Sequence, residues 1–192
     1  MAEMKTLETR YSVQERKLLL KIARESLIHY LNTGKLLAYD ENVLPNSLLA
    51  KKGAFVSVYK GRALRGCVGN MSKGTPLYKG IQEKVISAAM HDSRFPPLKF
   101  TELPQIRIEI SIVGSMARMK NENDIELGKH GILIKKGQSR GTFLPQVAVN
   151  TGWTIPEFLG YCSKDKACIG WDGWKNAEVY LYTAEVFAED LP

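Results

Sequence analysis

The chain has 192 residues, 44% of them hydrophobic and 24% charged, which suits one globular domain or a domain carrying a smaller subdomain. At this size a chain buries roughly 70% of the surface its unfolded form exposes, enough for a substantial core. No stretch approaches ~18 unbroken apolar residues, which excludes a membrane helix. Met1-Ala2-Glu3-Met4-Lys5 lacks the basic region and apolar run of a secretion signal, so a cytoplasmic location is expected.

The three cysteines, Cys67, Cys162 and Cys168, are odd in number, which argues against a disulfide framework. Cys162 and Cys168 do not have C-x-x-C spacing, and His29, His91 and His130 offer no H-x-x-x-H pair. No metal site is therefore expected. The net charge is +7, which favours anionic ligands, nucleic acid or acidic partners. The cations are scattered, however, with only short groups at Lys51-Lys52, Lys135-Lys136 and Lys164-Asp165-Lys166. A lysine-rich surface also has a thermal-stability reading.

Ser12-x-x-Glu15 reads as a capping box. Behind it Leu18, Leu19, Ile22, Ala23, Leu27, Ile28 and Leu31 recur at helical spacing, and Gly34 is the stop. Pro45, Asn42 and Asn46 make residues 35–50 irregular. Residues 54–59 read as a strand, Lys60-Gly61-Arg62 as a turn and 63–68 as the return strand. Thr75 and Pro76 start a second helix, cap then proline, with Leu77, Ile81, Val85, Ile86, Ala88 and Ala89 inward and an end near His91. Asp92-Ser93-Arg94-Phe95-Pro96-Pro97 is stiffened by its prolines and can hold Asp92 and Arg94 at defined positions.

The clearest strand is Ile106 to Val113, with four isoleucines on one face and Arg107, Glu109 and Ser111 on the other. Met116 to Leu127 is a polar excursion and a candidate crossing into a smaller subdomain within about 114–152. His130 to Lys135 is a strand, Lys136 to Gly141 a turn, and Thr142 to Leu144 a return. Short helices start at Pro145 and at Thr154-x-Pro156-Glu157, the first ending at Gly152-Trp153. The second turns Phe158, Leu159 and Cys162 inward, and Glu178 to Phe187 is the final strand.

The stretch Leu64-Arg65-Gly66-Cys67-Val68-Gly69-Asn70 concentrates the chemistry. Strand alternation puts Arg65, Cys67 and Gly69 on one face, with room beside the thiol at Gly69. Cys67 reads as a nucleophile or redox thiol made acidic by Arg65 and the Gly66 and Gly69 backbone, or as a small buried strand residue. Arg65 and Arg94 read as a bidentate clamp for a carboxylate or phosphate, or as ion pairs, Arg94 with Asp92 or Glu109. His130 reads as a base for Cys67 or as a loop cap. Gln146, Trp153, Trp171 and Trp174 read as pocket walls or core. No phosphate-cradling glycine loop is present.

Four stretches together resemble the AMMECR domain family: Leu64 to Gly69, Asp92 to Pro97, His130-Gly131-Ile132, and Leu144 to Ala148 with Gly152-Trp153. The resemblance covers nearly the whole chain. It implies an α+β domain with a larger and a smaller subdomain, and the expected architecture is a mixed or antiparallel sheet with flanking helices and a cleft between the subdomains, floored by the Arg65–Cys67 strand. It also implies kinship with proteins encoded beside or fused with Memo-like and radical-SAM proteins. Val68 stands where isoleucine is usual, Gln146 where glutamine or glutamate occurs, and Asn150 where an acidic residue is common. A glutamine is no general base, so chemistry needing a carboxylate on that segment lacks one here.

Three functions remain open at this level. One is an accessory or binding protein whose cleft takes an anionic ligand or a partner's segment. Another is an enzyme with Cys67 as nucleophile, His130 or a bound water as base and Arg65 as anion stabiliser. The third is a basic regulator associated with nucleic acid. Cofactor and oligomeric state are left open.

Overall fold

A computed structural model describes residues 11–71 and 74–190. The elements begin with α1 (Val13–Thr33), α2 (Asn46–Leu49), β1 (Ala54–Lys60), β2 (Ala63–Asn70), α3 (Leu77–Met90) and β3 (Ile106–Arg118). There follow β4 (Gly131–Lys136), β5 (Ser139–Phe143), α4 (Pro145–Thr151), α5 (Ile155–Tyr161) and β6 (Glu178–Ala188). The N-terminal signal reading, and residues 72 and 73 of the loop after β2, lie outside the described residues. The fold is α+β: six strands in the order β2-β1-β3-β6-β4-β5, with β2 and β5 at the edges.

The chain divides into two compact units. An inserted unit comprises Gly114–Ala184, and an enclosing unit comprises the described residues up to Val113 and from Glu185 onward. β3 and β6 each contribute residues to both.

In the enclosing unit, α1 starts where its capping box closes. The Glu15 N–H donates to Ser12 Oγ at 3.2 Å, and the Ser12 N–H donates to Glu15 Oε2 at 2.7 Å. Gly34 ends the helix in the left-handed region at φ 69°. Leu19, Ile22, Ala23 and Leu27 bury one stripe completely. α3 begins one residue later than its sequence suggests, because Pro76 itself sits at the cap with extended backbone and no side-chain capping bond. Its inner face, Leu77, Ile81, Val85, Ile86, Ala88 and Ala89, is buried as the spacing predicts. Against these helices pack Val56 and Val58 of β1 and the four alternating isoleucines of β3.

β1 and β2 form an antiparallel hairpin through Gly61, whose φ of 58° suits the first position of a two-residue turn. Its register slips once. Val58 pairs with Gly66 but Tyr59 pairs with Leu64, leaving Arg65 as the extra residue of a bulge. Gly66 faces α3 so closely that an added Cβ would stand 1.9 Å from the Ala88 carbonyl oxygen. The close seating of β2 on α3 therefore requires hydrogen at that position.

The inserted unit has its own core of Ile132, Ile134, Phe143, Phe158, Leu159, Cys162, Val179 and Leu181. Thr154 and Glu157 close a second capping box at the start of α5, and Gly152 ends α4 at φ 70°. Trp153 stacks on Tyr161 with centroids 4.4 Å apart, and Tyr161 meets Trp171 edge-on at 4.9 Å. β5 already begins at Ser139, because Gly137 alone supplies the positive φ the turn needs. The turn read over 136–141 is thus shorter than its glycines suggested. β3 also runs on to Arg118, into the stretch read as a polar excursion.

Gly66→Ala should destabilise the protein by about 3 kcal/mol, as overpacking against backbone that cannot yield. Gly61→Ala, which costs only the strain of a left-handed alanine, should lose about 1 kcal/mol. Urea denaturation of both variants checks the ranking.

Candidate functional site

β2 is an edge strand, so alternate peptides along it turn their polar groups away from β1. The Cys67 peptide is one of these, and a single ion pair takes both groups. Its N–H donates to Asp92 Oδ2 at 2.9 Å, and its carbonyl accepts from the Arg94 guanidinium at 3.2 Å. Arg94 in turn grips Asp92 bidentately, at 2.9 and 2.6 Å. The Arg94 N–H also donates to Asp92 Oδ1 at 3.2 Å. Asp92 stands just past α3, and the Leu98 N–H bonds back to the Ala89 carbonyl at 2.8 Å across the proline-stiffened loop. The Arg94 guanidinium, helped by the two backbone N–H groups and opposed by burial, holds the Asp92 carboxyl down at about 2.

Arg65 is fixed in a second place. Its guanidinium bonds Glu102 through two nitrogens, at 3.3 and 3.2 Å, and donates to the Pro96 and Pro97 carbonyls at 2.6 and 3.2 Å. Its side chain is only 12% exposed. Glu102 lies in a 3-10 turn, Phe100–Gln105, that sequence reading did not find. Arg65, then the Lys99 N–H and Lys60, hold the Glu102 carboxyl at about 2. Both arginines thus already carry carboxylates, and the clamp read from sequence is closed on the protein's own groups. Of the two alternatives for Arg94, the partner is Asp92, while Glu109 pairs with Arg107 at 3.9 Å.

The bulge removes the basis for placing Arg65 on the thiol's face by alternation. Cys67 and Gly69 do share a face, but the space at Gly69 is filled. The Phe55 ring lies 2.3 Å from where a Cβ would be. Gly66 faces α3 instead.

The Cys67 side chain is half-buried. The Ser57 hydroxyl, 3% exposed, donates to its sulfur at 3.3 Å. The Arg94 guanidinium and the Tyr59 phenol both stand near enough to feel charge on the sulfur. Ser57 is in register with Glu109 of β3, Tyr59 with Arg107 and Phe55 with Ser111. The Tyr59 hydroxyl donates to Glu109 at 3.5 Å, and Arg107 lies 5.1 Å from the Tyr59 ring centre. Burial first, then the charge of Glu109, pushes the Tyr59 phenol up to about 12. The thiol therefore heads a polar row across β2, β1 and β3. Ser57 and Tyr59 were passed over in sequence, though their polar groups interrupting an apolar strand were the available signal.

His130 and Gln146 belong to the inserted unit. His130 Nδ1 accepts the Glu126 N–H at 3.1 Å, a turn-capping bond that leaves the proton of the neutral ring on Nε2. The ring lines a pocket of about 280 Å³ with Ser115, Asp124 and Thr183. Gln146 is half-buried in the first turn of α4. Burial pushes the Cys162 thiol up to about 12, and Cys168 is exposed. Among the described residues no three histidine, cysteine or carboxylate side chains gather as a metal site. Among them, too, no helix is long and apolar enough to cross a membrane.

The AMMECR1 family model matches residues 20–187. The chain belongs to the AMMECR1 family. Protein MK0488 of Methanopyrus kandleri is 35% identical to this AMMECR1 chain, over 94% of it and 91% of the relative. A protein of Thermofilum pendens is 33% identical over 95% and 93%. The crystal structure of the uncharacterized protein PH0010 from Pyrococcus horikoshii superposes with a TM-score of 0.88 at 32% identity, covering 93% of each chain.

Asp92 and Glu102 ionise more readily in the folded chain than in the unfolded one. The stability they add is complete above pH about 5 and is lost as pH falls through 4 toward 2. Wild-type protein should weaken over that range in pH-resolved urea melts, and an Asp92→Asn/Glu102→Gln variant should weaken less. Asp92→Asn alone should cost about 2 kcal/mol at neutral pH by leaving buried donors poorly matched.

Proposed function

We propose that this chain is a cytoplasmic binding protein, with the polar row of Cys67, Ser57, Tyr59 and Glu109 as the floor that receives a partner's segment. The observation that carries the reading is the immobilised Cys67 peptide. With its N–H and carbonyl held by Asp92 and Arg94, the half-buried side chain has a fixed direction. A rigid floor presenting the Cys67 thiol with the Tyr59 and Glu109 side chains, backed by the buried Ser57 hydroxyl, suits recognition by hydrogen bonds, since little order must be gained on binding. The matched arginines disfavour a small free anion as the primary ligand, because it would have to displace Asp92 or Glu102. Family kinship makes Memo-like and radical-SAM proteins the first partners to test.

The enzyme alternative keeps one observation in its favour, the Ser57 hydroxyl 3.3 Å from the sulfur beside a guanidinium. Neither group is a base at neutral pH, so a thiol nucleophile would have to ionise without one of them taking its proton.

The test is alkylation of Cys67 against pH in a Cys168→Ser background, with Cys162 buried. Binding predicts slow reaction with a midpoint at or above the ~8.5 of an ordinary thiol. A midpoint near 7 would reject binding in favour of covalent chemistry. Capture of a purified Memo-like or radical-SAM partner should survive Cys67→Ser and be lost in Cys67→Trp, which fills the floor. Circular dichroism checks that both variants fold.

A further inference from the structure

The inserted unit carries a groove of about 640 Å³ at the open end of its strands. Its charged lining is Arg118, Lys135, Lys136, Arg140, Lys175 and Glu178, and Asp172 just outside it pairs with Lys175 at 2.7 Å. The strand register orders four of them. Lys135 of β4 is directly opposite Arg140 of β5 and, on its other side, Glu178 of β6. Glu178 reaches Arg118 at the end of β3, 3.6 Å away. Across four strands, with three spacings of ~4.8 Å, the row extends about 14 Å.

Two facts set this row apart from a solvated charged face. Like charges directly opposite each other across strands destabilise a sheet, and Lys135 and Arg140 are such a pair. Lys136 and Arg140 also form no ion pair among the described residues. Glu178 on the far side of Lys135 offsets part of the repulsion, and an anion bridging Lys135 and Arg140 would relieve the rest. The ligand should be extended, because the cations run in a line instead of converging on a point. It should not be a lipid surface, because Ala177 is the one apolar side chain in the lining and nothing there inserts into a membrane. Aromatic rings accompany the row. Lys135 lies 4.9 Å over the Tyr180 ring and Lys175 lies 5.8 Å over that of Trp174. A base could stack on either ring once its lysine turned to a phosphate.

We propose that this groove binds the phosphate backbone of a single-stranded nucleic acid, meeting about two successive phosphates through Arg140, Lys135 and Lys136, with Arg118 beyond Glu178 and Lys175 alongside. The proposal concerns the inserted unit alone and does not depend on the reading of Cys67.

Fluorescence anisotropy of the full chain with labelled oligo(dT) and oligo(U) of about twelve nucleotides tests it, over a series of salt concentrations. Lys136→Ala/Arg140→Ala/Lys175→Ala should weaken binding by at least about tenfold and reduce the slope of log affinity against log salt by about 2. The control Lys17→Ala/Lys21→Ala/Lys79→Ala, which removes the same charge from the enclosing unit, should leave affinity within about twofold. Absence of wild-type binding at low salt would overturn the proposal. So would equal loss in both triple variants, or tighter retention on phosphatidylserine vesicles or polyglutamate than on either oligonucleotide.

Discussion

A peptide at the sheet's edge needs a partner for each of its outward groups, and at Cys67 a single Asp92–Arg94 pair supplies both. An edge strand left open invites another chain to pair with it. Here a carboxylate and a guanidinium do the work of a neighbouring strand for one residue. They also bond each other, so neither enters the partly dry edge as an unmatched charge. Arg65 repeats the arrangement on the bulged side with Glu102 and two proline carbonyls. The Pro96-Pro97 stretch thereby serves both pairs: it stiffens the loop that presents Asp92, and it offers Arg65 two acceptors. Arg65 and Arg94 are both engaged in ion pairs at this edge, and the Cys67 peptide is held by the second of them.

The local signals were legible because local chemistry decides them. The capping box of α1, the start of α5 at Thr154, the glycine stops at Gly34 and Gly152 and the alternating face of β3 form as the sequence reads. The site was legible in its parts and not in its pairing. Arg65 and Glu102 are 37 residues apart, and Cys67 and Asp92 are 25 apart, so no spacing rule reports them. The bulge defeated the alternation rule at Arg65, since one inserted residue undoes a two-residue period. Gly69 misled for a related reason. The absence of a side chain says that something comes close, but whether it is a ligand or Phe55 is a tertiary fact.

The three thiols show how far environment governs one functional group. Cys162 sits in the inserted unit's core, where burial keeps it protonated far past neutral pH. Cys168 is exposed and holds a left-handed backbone at φ 56°. Cys67 lies between these extremes, half-buried, with a hydroxyl donor and a guanidinium at hand and a carboxylate on its own amide. The guanidinium near its sulfur is itself bound to the carboxylate that takes the Cys67 amide.

The same reasoning separates the cations of the two units. At the β2 edge each guanidinium has a carboxylate at hydrogen-bonding distance, and the pair has little residual field to offer a third charge. Near the β4–β5 turn the ratio is reversed. Asp172 takes Lys175 and Glu178 takes Arg118, but Lys136 and Arg140 form no ion pair among the described residues, and Lys135 and Arg140 face each other in register. Net charge alone could not distinguish these cases, because matched and unmatched arginines count equally in a sum of +7. What distinguishes them is whether folding has already supplied the counter-charge. Where it has, the cation stabilises the chain. Where it has not, the repulsion persists in the folded state, and an incoming polyanion gains both the attraction and the relief of that repulsion.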